Sequence, residues 1–194
     1  MGRLIFVTGG ARSGKSEFVE KAIWNQKSVC YLATGVVHEK DTEWQDRIRL
    51  HKERRPSDWV THEGYQHLAS YLQMTNFQTY LLDSATMLTT NQLFKLIEEF
   101  YPEKLAILDK EFLSKDEEEH ILNLLEKEWR DILDVMAIKE ADIWIVTDEI
   151  GLGIVPETKL GRCFRDFQGK INQMIAKEAS EAYLVIAGLA QRLK

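Results

Sequence analysis

"LIFVTGGARSGKS", residues 4–16, runs from a short apolar stretch directly into a turn that contains three glycines. Gly9 and the trio Gly14, Lys15 and Ser16 satisfy the pattern G-x-x-x-x-G-K-[ST], and the residues that follow have the apolar spacing of a helix. Glycine lets the backbone turn so tightly that successive N–H groups point inward, where they bind phosphate oxygens together with the positive end of the following helix. The order of strand, turn and helix therefore predicts a phosphate-binding P-loop.

The side chains of this turn have expected roles at a bound nucleotide. Lys15 is predicted to reach the β- and γ-phosphates and to act in catalysis, and the Ser16 hydroxyl is predicted to bind Mg²⁺. The nucleotide-binding residues predicted from the turn are Gly9, Gly10, Ala11, Arg12, Ser13, Gly14, Lys15 and Ser16.

Five short apolar runs have the composition of buried strands. They are rich in Val, Ile, Leu and aromatic residues and do not alternate with polar residues, which is typical of a parallel sheet covered on both faces. The segments between them are long enough for helical crossovers. We therefore predict an α/β fold, a P-loop three-layer sandwich with a mostly parallel sheet, as a single domain over residues 1–194. The runs are "LIFVT" (4–8), "VCYLAT" (29–34), "TYLLD" (79–83), "IWIVT" (143–147) and "AYLVIAG" (182–188).

A P-loop enzyme also needs a carboxylate at the end of another strand to hold the metal. Asp83 ends the run "YLLD", so we predict that it binds Mg²⁺ with Ser16; the alternative is a cap for the helix that follows. Asp148 and Glu149 end the run "IWIVT" in a similar place, and site and cap remain equal alternatives for them.

Two other segments have a structural interpretation. Residues 114–139 are predicted to form a helix, because Ser114 and Glu117 make a capping box and an apolar stripe follows at helical spacing. We interpret that stripe as core and His120 as a surface residue. The segment "FYPEKLAILDKEF", residues 100–112, fits a short strand, a helix end or a flap over the site.

Composition limits the class of protein. The chain has 194 residues, of which 44% are hydrophobic and 29% charged, and its formal net charge is -6, so nucleic acid and an anionic membrane surface are not expected partners. No apolar run approaches the roughly 20 residues that span a bilayer. The first residues lack the pattern of a signal peptide, and Cys30 and Cys163 lack metal-ligand spacing. We expect a cytoplasmic protein with reduced thiols.

Positive charge is concentrated in "RIRLHKERRPSDW", residues 47–59, around His51. On a helix, Arg47, Arg54 and Arg55 lie three or four residues from His51 and share its face. Cations at that range disfavour the charged imidazolium, so the neutral ring would be available as a nucleophile, and the arginines would bind phosphate. From spacing alone, a catalytic histidine and an ordinary surface histidine both remain open.

Six motifs, taken together, resemble the bifunctional adenosylcobinamide kinase/adenosylcobinamide-phosphate guanylyltransferase family of cobalamin biosynthesis. The resemblance covers nearly the whole chain, and the histidine segment and the segment containing "EIGLGIVPE" are its most specific parts. The motifs are "TGGARSGKS", "YLAT", "RIRLHKERRPSDWVTHE", "LLDSATMLTTN", "VTDEIGLGIVPE" and "RCFRDFQGKINQ".

The resemblance implies two reactions and a set of residues. Family members phosphorylate adenosylcobinamide with ATP or GTP and then move GMP from GTP, through a guanylyl-histidine, to the new phosphate. His51 matches the histidine that accepts the nucleotide. The resemblance also implies that Glu63 contacts the nucleotide. A carboxylate accepts hydrogen bonds from guanine, which suits this role; the alternative is an ordinary surface acid. The further nucleotide contacts implied are Ala33, Thr34, Gly35, Lys52, Glu53, Arg54, Arg55, Glu63 and Asp83.

The resemblance also implies a homotrimer, with sites between subunits. Two positions depart from the family: Leu50 stands where some relatives have a second histidine, and Asp148 where relatives have asparagine. The sequence lacks the N-K-x-D motif of a GTPase. The residues by themselves leave two other functions open, a P-loop kinase of small metabolites in which His51 is idle and a nucleotide-switched binding module.

Overall fold

A computed structural model describes residues 2–35, 49, 52–107 and 112–194. Its described part contains one seven-stranded sheet in the order β3-β2-β4-β5-β1-β6-β7. All neighbouring strands are parallel except β6 and β7, which are antiparallel. The strands are β1 (Leu4–Gly9), β2 (Val29–Ala33), β3 (Val60–Glu63), β4 (Thr79–Asp83), β5 (Asp142–Asp148), β6 (Glu181–Ile186) and β7 (Leu189–Arg192). The helices are α1 (Lys15–Ala22), α2 (Leu68–Met74), α3 (Ala85–Phe100), a 3-10 helix (Pro102–Ala106), α4 (Lys115–Ile138) and α5 (Lys159–Glu178).

Helices cover both faces of the sheet. On one face, Val19 of α1 and Ile23 just beyond it are buried against β1, β2 and β6. On the other face, residues of α2, α3, α4 and α5 form a larger apolar core with the strands. Burial at roughly 25 cal/mol per Å² of apolar surface is the main stabilising contribution of such layers. The predicted α/β three-layer sandwich with a mostly parallel sheet is confirmed.

The strand register brings the ends of five strands to one edge. Asp148 lies opposite Gly9, and Ala33 lies between Glu63 and Asp83. Side chains that follow these strand ends must therefore lie close together, although they are distant in sequence. This edge, beside the P-loop, is where ligands bind in open parallel sheets.

The five apolar runs are all strands, as predicted, but β3 and β7 were not predicted. Both lie at the edges of the sheet, and their side chains are mostly exposed. Edge strands with polar or exposed side chains lack the apolar pattern on which the prediction depended.

Helix α4 agrees with its prediction. Ser114 is the N-cap, its hydroxyl accepts from Glu117 N at 3.3 Å, and the Glu117 carboxylate accepts from Ser114 N at 2.6 Å. Its apolar stripe is buried in the core, and His120 is exposed. In the segment 100–112, Phe100 ends α3 and a 3-10 helix follows, so its first half is a helix end; residues 108–111 lie outside the described part.

The capping box supports a stability prediction. Ser114→Ala removes the acceptor of the Glu117 amide, so the free energy of unfolding should fall by about 1 kcal/mol. Urea unfolding measures the change. An unchanged unfolding midpoint would show that the cap does not stabilise the helix.

Candidate active site

The P-loop connects β1 to α1 through backbone positions that need glycine. A Cβ on Gly9 would lie 2.4 Å from Val185 O and 2.6 Å from Ser13 Oγ, so a side chain would collide with backbone there. Gly14 has φ 93°, in the left-handed region that glycine adopts without strain. The turn after β6 braces the loop, since Gly188 N donates to Ser13 O at 2.8 Å. The loop is thus held in shape by β6 as well as by its own glycines.

Lys15 is buried at the centre of this loop. Its Nζ donates to Gly10 O at 3.1 Å and forms an ion pair with Asp148 Oδ1 at 2.6 Å. A buried ammonium needs such a partner, because loss of water would otherwise make its charge costly. Asp148, at the end of β5, is therefore the counter-charge of the P-loop lysine.

A cavity of about 740 Å³ opens over the P-loop at the edge where the strands end. Most of the residues predicted to bind the nucleotide line it. From the P-loop these are Ala11, Arg12, Ser13, Gly14, Lys15 and Ser16, and from later segments Ala33, Gly35, Lys52, Arg54, Arg55, Glu63 and Asp83. Within this predicted set, the sequence separates the lining residues by as many as 72 positions (Ala11 to Asp83).

Four predicted residues have other positions. Gly9 and Gly10 form the start of the loop backbone. Thr34 is buried, and its hydroxyl donates to Ser84 O at 2.7 Å. Glu53 forms an exposed ion pair with Arg49 at 2.9 Å. His51 and Arg47 lie outside the described residues.

The carboxylates at the strand ends are not helix caps. Ser84, not Asp83, is the N-cap of α3, and its hydroxyl accepts from Met87 N at 3.2 Å. Asp83 instead accepts from the Tyr31 hydroxyl at 3.0 Å. Asp148 is bound to Lys15, and Glu149 accepts from Gly151 N at 2.8 Å within its own turn. The capping alternatives are therefore wrong for these acids.

Three basic residues after position 51 contact three different elements. Lys52 pairs with Glu63 of β3 at 2.5 Å, and Arg54 pairs with the buried Glu20 of α1 at 3.4 Å. The Arg55 guanidinium lies 3.4 Å from the centroid of the Tyr31 ring. Together these contacts hold residues 52–55, which we call the basic segment, against the P-loop side of the sheet.

Arg54 and Arg55 lie just beyond the described helical residues of this segment. Lys52 and Glu53 are helical, but Arg54 lies in a turn and Arg55 in a bend. Both arginines line the cavity, where Arg54 contacts Glu20 and Arg55 contacts Tyr31.

Burial perturbs two groups beneath the basic segment. It raises the pKa of the Glu20 carboxyl, and the nearby Arg54 partly opposes this rise. Burial, followed by the charge of Asp83, raises the pKa of the Tyr31 hydroxyl well above its ordinary value. Tyr31 therefore remains a hydrogen-bond donor at any physiological pH.

A buried polar network fixes the backbone around Asp148. The Thr86 hydroxyl accepts from Asp148 N at 2.7 Å, and Asn172 Nδ2 donates to Asp148 O at 3.2 Å. The Thr147 hydroxyl donates to Asn172 Oδ1 at 2.9 Å. Helices α3 and α5 thereby hold the end of β5, and the Asp148 side chain, next to the P-loop.

Several cavity residues were missed by the sequence prediction: Glu17, Tyr31, Thr61, Ser84, Met87 and Ile150. Glu17 follows Ser16 directly, so its position in the first turn of α1 could have indicated it. Tyr31 is part of the apolar run of β2, which gives no sign that its hydroxyl faces a polar site.

Comparison with known proteins agrees with this geometry. Residues 5–193 match the family described as cobinamide kinase/cobinamide phosphate guanyltransferase, CobU. The chain belongs to the CobU family. It is 36% identical to the bifunctional adenosylcobalamin biosynthesis protein CobU of Salmonella typhimurium, over 98% of this chain and 99% of that protein. It is 34% identical to the Escherichia coli protein of the same name, with the same coverage, and 31% identical to the CobP protein of Pseudomonas aeruginosa, over 97% and 95%.

The ion pair between Lys15 and Asp148 leads to a prediction about nucleotide affinity. A bound triphosphate must compete with the Asp148 carboxylate for Lys15 and is also repelled by it. Asp148→Asn should therefore lower the Kd for GTP by about tenfold, or about 1.4 kcal/mol. Isothermal titration calorimetry measures this difference.

The other end of the same strand offers a matched control. Asp142 begins β5 and pairs with Arg3 at 2.5 Å, away from the cavity. Asp142→Asn should leave the Kd for GTP unchanged. Weaker GTP binding by Asp148→Asn would mean that Asp148 assists the nucleotide instead of competing with it.

Within residues 2–35, 49, 52–107 and 112–194, no helix is long and apolar enough to cross a bilayer.

Proposed function

We propose that the protein phosphorylates adenosylcobinamide with ATP or GTP, and then transfers GMP from GTP through a guanylyl-histidine to adenosylcobinamide phosphate. The product would be adenosylcobinamide-GDP. One observation carries the proposal: a single cavity joins the P-loop, the acid Asp83 and the basic segment that directly follows His51. Membership of the CobU family supports both activities. By the same resemblance, we propose a cytoplasmic homotrimer.

The P-loop would bind the triphosphate in both reactions. Its amides and the Lys15 ammonium, which must then leave Asp148, neutralise charge on the β- and γ-phosphates. In the kinase step, the γ-phosphoryl group passes to the aminopropanol hydroxyl of the corrinoid, and the P–O bond to the nucleoside diphosphate breaks.

The side chains present suit a magnesium ion. Ser16 supplies a hydroxyl and Asp83 a carboxylate to the same cavity, and Mg²⁺ is usually held by one or two such protein ligands together with substrate phosphates and water. When bound, the ion would supply charge neutralisation for the phosphates. Tyr31 would orient the Asp83 carboxylate for this task.

The basic segment would serve the guanylyl transfer. A ring nitrogen of His51 bonds to the α-phosphorus of GTP, the bond from that phosphorus to the bridging oxygen breaks, and pyrophosphate leaves. An oxygen of the corrinoid phosphate then bonds to the same phosphorus, and the bond to histidine breaks. Arg54 and Arg55 would balance the charge that accumulates on this phosphorus. Covalent catalysis divides one crowded displacement into two easier ones.

Labelled GTP tests this function against its rivals. With Mg²⁺ and no acceptor, GTP labelled at the α-phosphorus should label the protein, and GTP labelled at the γ-phosphorus should not. The label should be stable in alkali and labile in acid, as expected of a phosphorus–nitrogen bond. With adenosylcobinamide, the γ label should move to the corrinoid. A kinase without nucleotidyl transfer would label the corrinoid from the γ position but would not label the protein from the α position. A binding module would give neither kind of labelling.

A further inference from the structure

We propose that Tyr31 is a positioning residue that holds Arg55, and with it the basic segment, against the nucleotide cavity. The inference rests on the proposed function, because it assigns Arg55 to the phosphates of the nucleotide that His51 attacks. Neither the P-loop pattern nor the CobU-type motifs assign Tyr31 such a role.

Tyr31 is held rigidly on two sides. It lies in the middle of β2, between β3 and β4, and is only 4% exposed. Its ring packs in the apolar cluster that includes Ile5, Val19 and Leu81. Its hydroxyl donates to Asp83 Oδ2 at 3.0 Å, which fixes the remaining rotation of the side chain. The face of the ring is thus a preorganised surface on the cavity side.

Arg55 rests on that surface. Its guanidinium carbon lies 3.4 Å from the ring centroid, well within the distance of about 6 Å for a cation–π interaction. A guanidinium stacked by its face keeps its N–H groups at the edge, where they are able to donate to phosphate oxygens. An ammonium lacks a planar face and gains less from such a ring.

The three basic residues are held in chemically different ways. Lys52 and Arg54 are held by the carboxylates of Glu63 and Glu20, which offset their charge. The ring of Tyr31 holds Arg55 by its quadrupole. We assign to Arg55 an electrostatic contact with the nucleotide, and to Tyr31 the placement of that guanidinium.

A double-mutant cycle on GTP binding tests the assignment, with the Kd measured by calorimetry in the absence of Mg²⁺. Tyr31→Phe keeps the ring and should change the Kd by less than about threefold, whereas Tyr31→Leu removes the stack and should raise it by about tenfold. Arg55→Ala should raise it by at least as much. Combined with Arg55→Ala, Tyr31→Leu should have no further effect, because the two side chains act as one unit. Multiplied effects in the double variant would overturn the inference.

A second experiment changes Arg55 instead, so its result does not depend on whether a Tyr31 variant folds. Arg55→Lys keeps the charge but loses the planar stack, so it should weaken GTP binding nearly as much as Arg55→Ala. If Arg55→Lys binds GTP like the wild type, charge alone suffices and the inference is wrong. Tyr80→Phe is the matched control: Tyr80 is buried in the neighbouring strand, its hydroxyl contacts Thr75 and Phe77 N, and GTP binding should not change.

Failure of the role of Tyr31 can be distinguished from failure of the proposed function. A wild-type protein that binds GTP but never becomes labelled at its α-phosphorus would refute the guanylyl-histidine and leave the contact between Tyr31 and Arg55 to be judged by the binding data. A wild-type protein that is labelled, with additive effects in the cycle, would refute only the role of Tyr31.

Discussion

His51→Ala should reduce guanylyl transfer from GTP to adenosylcobinamide phosphate by about 10³-fold or more, because the covalent route through the imidazole is then closed. Phosphorylation of adenosylcobinamide should continue near the wild-type rate, since the P-loop, Lys15 and Asp83 are unchanged. Separate assays with each corrinoid acceptor measure the two rates. A general loss of stability would lower both rates together, so it would not separate the two activities.

His120→Ala is the control for this substitution. His120 is exposed on α4, where its Nδ1 lies 2.8 Å from the Tyr101 hydroxyl, and it has no part in the cavity. Both activities should survive in this variant. If His51→Ala slowed the two reactions equally, His51 would be a structural or binding residue and the covalent step would be wrong.

Lys15→Ala should instead impair both reactions together. Removal of the ammonium leaves the triphosphate without the main cation of the P-loop, and loss of one such preorganised group costs about 10²–10³-fold in rate. The expected result is a fall of that size in kcat/KM for kinase and guanylyl transfer alike. The substitution also leaves Asp148 without its partner at 2.6 Å, which adds repulsion toward phosphate.

Two further variants isolate these contributions. Lys27→Ala removes an exposed lysine just beyond α1 and should leave both rates unchanged. Combining Lys15→Ala with Asp148→Asn removes the unpaired carboxylate and should restore part of the lost GTP affinity. No restoration in the double variant would show that Asp148 does not repel the nucleotide.

The features predicted correctly from sequence are those with local causes. The P-loop motif needs eight consecutive residues from Gly9 to Ser16, and the capping box of α4 needs only Ser114 and Glu117. The five central strands are apolar throughout because helices cover both of their faces. In each case the residues that determine the structure are neighbours along the chain or share one composition.

The features that were missed depend on distant partners. The pair of Lys15 and Asp148 joins P-loop and β5 through strand pairing, which sequence spacing does not specify. Tyr31 was counted only as an apolar strand residue, yet it contacts both Asp83 and Arg55. Such contacts follow from the order of strands in the sheet, and that order becomes known only with the structure.

The structure describes only part of the segment around His51, because His51 and Arg47 lie outside the described residues. Arg54 and Arg55 do line the nucleotide cavity. Both follow the helical residues Lys52 and Glu53, and they contact Glu20 and Tyr31, which are distant in sequence. These contacts could not be read from helical spacing, whereas the shared face with His51 stays a prediction.

The covalent intermediate offers the most direct test. Protein incubated with GTP and Mg²⁺, quenched in alkali and digested with a protease, should yield one peptide carrying the mass of GMP. Fragmentation of that peptide should place the added mass on His51. Attachment of GMP to another residue, or a protein that turns over both corrinoid acceptors without ever carrying GMP, would contradict the mechanism.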